Sequence, residues 1–369
     1  TILKQYRDWL EASGVEKRNI IAYNFEEDEN RAFLDNSHLL HETIMNLAEP
    51  GVKNYVFLDE IQLVENFEKL VDSLFVKENI DIYITSSNSD ITSSSLSTWL
   101  TGRYVEIKMQ PLSFSEYIKF FPEHMDKTLL FNQFLEYGAF PEVANFLAAG
   151  VGEKTWLYLD GLYNTIIEKD IKQKVNIGIE DFLNVTSFCF DNVGNTTSPS
   201  SIAGTLTEKG RKVNNETVGT YLNLLQDCYV LYGIDRYDIR GKILLKTLKK
   251  YYSVDLGLSN AVLGKSTNVD IGHKIENIVF LELNRRYGKV WIGKNYEKEI
   301  DFVVRNNAGE TEYFQVAETA TGSTLEREKA SIKNTGDDYK KTILTMDSIS
   351  TNEDGISRQN LISWLLEDK

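Results

Sequence analysis

Two adjacent carboxylates, Asp59 and Glu60, end the apolar run "YVFLDE". A strand buried on both faces of a parallel sheet reads as continuous apolar sequence, and its carboxyl end opens on the crevice where ligands bind. Placed there, one acid can hold Mg²⁺ while its neighbour orients a water for attack on a phosphate. A strand end with two solvated acids would read the same way. A second apolar strand, "IDIYIT", ends in Ser86, Ser87, Asn88 and Ser89, where Ser87 or Asn88 is placed to touch a terminal phosphate. Arg103, between a glycine and a stretch read as a strand, can reach a phosphate, including one held by a neighbouring subunit. Pairing with Glu106 is the plain alternative for this arginine.

A second set of residues lies near the carboxy terminus. In "IENIVFLEL", Glu276 shares a helical face with Val279, Phe280 and Leu283, so its carboxylate points inward and calls for a partner or a metal. In "EIDFVV", Asp301 is set apart from the core side chains Ile300, Phe302 and Val304, and in "YFQVAET" Gln315 and Ala317 share one face. Two acids and the amide oxygen of Gln315 could hold Mg²⁺. A metal-dependent nuclease of this layout would carry an acid and a lysine at 315 and 317. The absent lysine argues for a structural domain that does not cut.

The third set points toward DNA. "SSIAGTLTEKGRKVNNETVGTYLNLLQDCYVLYGIDRY" reads as helix, turn, helix and strand, with Ile202, Ala203 and Leu206 inward on the first helix. Val218, Tyr221, Leu222, Leu225 and Tyr229 form the apolar stripe of the second. A hairpin with its tip near Gly241 follows, completing the layout of a winged helix. A DNA reading puts Asn214, Asn215, Thr217, Thr220 and Asn223 toward a groove and assigns Arg240 and Lys242 to phosphates. From Arg236 to Lys250 six basic residues face one acid. The second helix, however, carries Glu216 and Asp227 and no basic residue, which favours a scaffold between domains.

These residues need elements to hold them. "TILKQYRDWLEAS" places Ile2, Leu3, Tyr6, Trp9 and Leu10 on one helical stripe, and "NIIAYNFE" reads as a short strand. A helix is expected from about Arg31 to Leu47, then the strand "KNYVFLD", a helix from about Asn66 to Val76 and the strand "IDIYITSS". This alternation predicts a mainly parallel sheet. From Pro122 to about Lys174 the pattern is helical, broken at "YGAFPE".

Taken in order, "YVFLDEIQ", "ITSSNS", "LTGRYVEIKMQPLSFSEY", "YGAFPEV", "YNTIIEKDI", "KKYYSVDLGLSNAVLG" and "GHKIENIVFLELNRR" resemble a known family. It comprises prokaryotic AAA-type ATPases whose carboxy-terminal domain of unknown function is shaped like a restriction endonuclease. The resemblance implies ATP and Mg²⁺ as ligands, with Asp59 as the metal acid, Glu60 as the catalytic acid, Ser87 or Asn88 as sensor and Arg103 as a candidate arginine finger. It departs at Ser86, where the family commonly has glycine. No G-x-x-x-x-G-K-[ST] loop occurs in these residues, and Lys265 in "LGKST" lacks the upstream glycine. By the resemblance that loop precedes a helix like "TILKQYRDWL", which puts Thr1 at or just after its end. The sequence is therefore expected to begin downstream of the loop, with hydrolysis belonging to a longer chain.

The expected architecture is α/β: a parallel-sheet P-loop ATPase core without its phosphate loop over 1–120, then a helical lid over 121–175. A winged helix over 176–250 and a restriction-endonuclease-like domain over 251–369 complete it. At 369 residues, two or three domains are natural. A net charge of −15 argues against non-specific coating of nucleic acid. Cys189 and Cys228 read as core thiols in a reducing cytoplasm. No apolar run suggests a membrane span, and the expected partners are nucleotide, DNA and a second copy through the ATPase core.

Overall fold

The computed structural model describes residues 2–87, 103–172, 178–264, 271–296, 298–333, 335–348 and 350–367. The chain forms two compact units, residues 1–108 and 109–369.

The first unit is built on a parallel sheet in the order β1-β2-β3, with β1 at Ile20–Asn24, β2 at Asn54–Asp59 and β3 at Ile80–Ile84. Val56, Phe57 and Leu58 of the central strand are buried, as the unbroken apolar run requires. Helices α1 (Ile2–Ala12), α2 (Ser37–Leu47) and α3 (Phe67–Phe75) accompany the strands. The stripe expected on α1 is covered in part: Leu10 is buried and Tyr6 packs against Phe57 and Tyr83, whereas Ile2 and Trp9 are exposed. The helix expected from Arg31 starts later, because the Asn36 side chain accepts the Leu39 N–H and caps α2. A 3₁₀ segment, Asp28–Phe33, occupies the earlier residues. Asn54 is fully buried, and its amide bonds both the N–H and the carbonyl of Glu49, fastening the Pro50-Gly51 turn to the start of β2. The strand expected after Arg103 does not form. Residues 104–110 have no ladder partner among the described residues, and Val105 (88 %) and Ile107 (78 %) are exposed.

The second unit opens with helices α4 (Phe114–Tyr117), α5 (Lys127–Tyr137), α6 (Pro141–Ala148) and α7 (Lys154–Ile166). Ser113 and Glu116 cap α4 reciprocally, which accounts for the "LSFSEY" pattern. Helices α8 (Ile179–Asp191), α9 (Pro199–Glu208) and α10 (Asn215–Asp227) pack around Phe182, Ile202, Val218, Tyr221, Leu222 and Leu225. Tyr229 departs from the expected stripe, lying past α10 at φ +52°. The remaining strands are β4 (Thr196–Thr197), β5 (Leu231–Asp238), β6 (Ile243–Ser253), β7 (Val290–Asn295), β8 (Lys298–Arg305), β9 (Thr311–Ala317), β10 (Lys340–Thr345), β11 (Thr351–Glu353) and β12 (Ile356–Asn360). They form a single sheet in the order β11-β12-β10-β9-β8-β7-β5-β6-β4. The boundary expected at 250 therefore falls inside β6, and the hairpin β5–β6 belongs to the carboxy-terminal sheet through the pairing of β5 with β7. Helices α11 (Leu256–Val262), α12 (Ile271–Tyr287), α13 (Gly322–Ile332) and α14 (Leu361–Leu365) complete the unit.

Two of the motifs meet here. The carboxylate of Asp255 caps α11 through the Leu258 N–H and accepts the Ala139 N–H at 2.6 Å, while Asn260 Nδ2 donates to the carbonyls of Leu135 and Glu136. "YGAFPE" and "VDLGLSN" are thus two sides of one buried joint. Burial raises the Asp255 carboxyl to about 6, against the backbone donors that favour its charge. A Cβ on Gly257 would lie 1.9 Å from the Tyr137 carbonyl oxygen, and one on Gly138, at φ +79°, would lie 2.1 Å from Asp255. Gly257→Ala is expected to destabilise this unit by about 2–3 kcal/mol, because the obstacle is backbone. A urea-unfolding midpoint equal to that of the wild type would contradict the close joint.

Candidate functional site

In the first unit, β2 delivers Asp59 to the carboxyl edge of the sheet, and the chain turns sharply there. Glu60 adopts a left-handed backbone at φ +56°, a conformation uncommon outside glycine that concentrates at functional sites. The backbone remains tied to β3 past the last ladder pair: Thr85 N–H donates to Leu58 O, and Ile61 N–H donates to Thr85 O. The Thr85 hydroxyl sits between the two acids, donating to Asp59 Oδ1 and accepting the Glu60 N–H at 3.0 Å. Among the described residues, Asp59 Oδ2 has no partner, which leaves one carboxylate oxygen for a cation. Gln62 Nε2 donates to Glu60 Oε2 at 2.6 Å and to Ser87 Oγ at 3.3 Å.

Asp59, Glu60 and Ser87 are therefore brought together, joined by Thr85 and Gln62. Neither linking residue is among the expected site residues, although Gln62 lies in "YVFLDEIQ" and Thr85 in "ITSSNS". Thr1 and Asn88 lie outside the described residues. Arg103 stands apart from the acids. It pairs with Asp72 at 3.7 Å rather than with Glu106, and its guanidinium lies 5.9 Å from the Phe75 ring centroid. Both neighbours are in the last turn of α3, whose end leads into the start of β3, opposite the edge that carries Asp59.

The second unit holds a buried charged cluster. Lys250, its side chain 5 % exposed, donates to Glu276 Oε1 at 3.0 Å and ion-pairs with Glu299 Oε1 at 2.6 Å. The Tyr252 hydroxyl donates to the same Glu276 oxygen at 2.6 Å. Asp301 Oδ2 accepts the Val316 N–H at 2.8 Å, and Gln315 Oε1 accepts the Asp301 N–H at 3.3 Å. Burial works against the Lys250 charge, but Glu276, Asp301 and Glu299 together hold its pKa above the usual lysine value. Burial and then Glu276 push the Asp301 carboxyl well above the carboxylate range, against the pull of Lys250 and the Val316 N–H. Glu276, Asp301 and Gln315 thus share one neighbourhood. The Gln315 oxygen expected to face a metal is turned instead to the β8 backbone. Among the described residues, no three His, Cys, Asp or Glu side chains are grouped so as to hold a metal ion. The lysine expected at 317 is absent, and the cation of this cluster is Lys250, which arrives from β6.

The expected DNA contacts lie on separate elements. Asn215 is exposed at the start of α10, the Thr217 N–H is used by the cap Asn214, and the Thr220 hydroxyl donates to Glu216 O. Asn223 is exposed. At the hairpin turn, the Arg240 guanidinium lies 4.9 Å from the Tyr296 ring centroid, and Lys242 is exposed at φ +52°.

Residues 1–118 match the family model for the AAA domain, and residues 128–269 match a domain of unknown function (DUF8612). An uncharacterized protein of Haemophilus influenzae is 38 % identical, the match covering 99 % of this chain and 91 % of that one. The chain belongs to one family with this protein. An uncharacterized protein of Methanocaldococcus jannaschii is 29 % identical over 93 % of this chain and 78 % of its own length. A solved Walker-type ATPase of Pyrococcus abyssi aligns with a TM-score of 0.40 at 14 % identity, covering 68 % of this chain and 69 % of that one. The AAA family implies nucleotide binding, usually with Mg²⁺. No helix among the described residues is long and apolar enough to cross a membrane.

Proposed function

We propose that the first unit binds and hydrolyses ATP as part of the full-length protein, with Asp59 holding Mg²⁺ and Glu60 acting on the attacking water. The observation that carries this reading is the acid pair at the carboxyl end of β2, one carboxylate clamped by Thr85 with an oxygen left over. Bound Mg²⁺ would neutralise phosphate charge. The chain's own part is to fix Asp59 through Thr85, aim Glu60 and present Ser87 to the terminal phosphate. As the water oxygen bonds to the γ-phosphorus, one of its protons passes to Glu60. The bond to the bridging oxygen breaks with its electron pair leaving on ADP. Arg103, remote from the acids of its own subunit, fits a finger offered to a second copy. Asp59→Ala in the full-length protein is expected to weaken Mg²⁺-dependent nucleotide binding by roughly tenfold or more, measured by titration with and without Mg²⁺. Equal affinities would remove Asp59 from the metal site.

In this reading the nucleotide state is coupled to the second unit, where α9, α10 and the β5–β6 hairpin serve as a winged-helix scaffold and the carboxy-terminal strands as a nuclease-like domain that does not cut. Lys250 supports the inactive assignment, since it already supplies a cation to Glu276 and Glu299. Duplex DNA incubated with the protein and Mg²⁺ or Mn²⁺ is expected to stay intact. Cleavage that disappears in Asp301→Ala would make the protein a metal-dependent nuclease instead. Hydrolysis stimulated severalfold by DNA would favour a DNA-binding regulator.

A further inference from the structure

Gln62 has chemistry left over once its two hydrogen bonds are counted. Its Nε2 faces the Glu60 carboxylate at 2.6 Å and the Ser87 hydroxyl at 3.3 Å. A carboxylate only accepts, so the nitrogen must be the atom that faces Glu60, which fixes the orientation of the amide. The remaining atom, Oε1, is buried and, among the described residues, accepts no hydrogen bond. A buried acceptor left unpaired costs about 1–3 kcal/mol and calls for a donor. Oε1 and the Glu60 carboxylate are both acceptors on touching side chains, and water offers two O–H groups.

We propose that Gln62 orients the attacking water together with Glu60. The water donates one hydrogen to Gln62 Oε1 and the other to the Glu60 carboxylate, which turns its oxygen lone pair toward the phosphorus. Gln62 neither gains nor loses a proton, and the proton released during attack goes to Glu60. Through its contact with Ser87, the same amide registers whether that hydroxyl has turned to a phosphate. A sensor contact is thereby coupled to the aim of the water. The inference rests on the hydrolytic reading above and adds a residue to it.

The alternative is that Gln62 only braces the 3₁₀ turn Ile61–Leu63, and kinetics separate the two. In the full-length protein, Gln62→Ala is expected to lower kcat roughly 100-fold while nucleotide affinity and Tm stay close to wild type. Gln62→Glu keeps an oxygen but sets a second carboxylate against Glu60. It should be nearly inactive at pH 8 and recover part of its rate toward pH 6, as the pair takes up one proton. A brace would predict loss of Tm or affinity and an unchanged pH profile. If Glu60→Gln is inactive while Gln62→Ala keeps a wild-type kcat, the role of Gln62 is overturned and the hydrolytic reading stands. A wild-type protein that binds nucleotide without hydrolysing it overturns both.

Discussion

Glu60→Gln in the full-length protein is expected to abolish ATP hydrolysis and to leave nucleotide binding in place. The substitution preserves the length and shape of the side chain, and the left-handed backbone at φ +56° is as strained for Gln as for Glu. What changes is proton affinity: an amide cannot take the proton that the water loses during attack. General-base contributions of this kind are worth roughly 10²–10⁴-fold in rate. The acid proposed to hold Mg²⁺ is untouched, because Asp59 is held by the Thr85 hydroxyl rather than by the Glu60 side chain. Phosphate release measured beside equilibrium binding of a fluorescent nucleotide separates the two effects. Hydrolysis at the wild-type rate would strip Glu60 of its role and leave Asp59 as a metal ligand without a base beside it.

The second large effect belongs to Lys250. Lys250→Ala removes the ammonium that two glutamates share and leaves the Glu276, Glu299 and Asp301 carboxyls close together in a largely buried place. Deleting one partner of a buried ion pair strands the other charges, at a cost of about 3 kcal/mol once the partial exposure of Glu299 is discounted. The pH dependence has a definite sign. Asp301, already raised by burial and Glu276, loses the Lys250 charge that held it down, so stability present at low pH is lost as pH rises through its folded-state value. The deficit relative to wild type should therefore be largest near pH 7 and shrink toward pH 4. Urea unfolding at both pH values checks this. A deficit independent of pH would mean that Lys250 contributes through packing of its aliphatic stem.

How far the fold could be read from sequence depended on how local the cause was. The runs "NYVFLD" and "IDIYI" became neighbouring parallel strands, because burial on both faces leaves a continuous apolar signature. Ser113 caps a helix where a short polar residue precedes apolar ones, whereas Asn214, read toward a groove, also turns out to be a cap. The acid pair could be placed for the same reason. Thr85 and Gln62 could not, because a hydroxyl between two acids and an amide bridging to Ser87 depend on how β2 and β3 are spaced. Lys250 was harder still. It sits among basic residues that suggested phosphate contact, and only the pairing of the hairpin with the carboxy-terminal sheet turns it inward. The alternating run after Arg103 gives the converse lesson, since among the described residues this strand-like pattern has no ladder partner.

The continuity of β6 through residue 250 has a consequence for how the second unit comes apart. Its hydrogen bonds to β5 begin beside the helical core around Tyr221 and end at the hairpin turn, and β5 passes the ladder on to β7. A chain cut at 250 would divide one strand between two fragments, each left with an open sheet edge. The helices packed around Tyr221 and the carboxy-terminal strands are thus joined through one continuous ladder. Mechanical or thermal stress on either should release both in a single cooperative step.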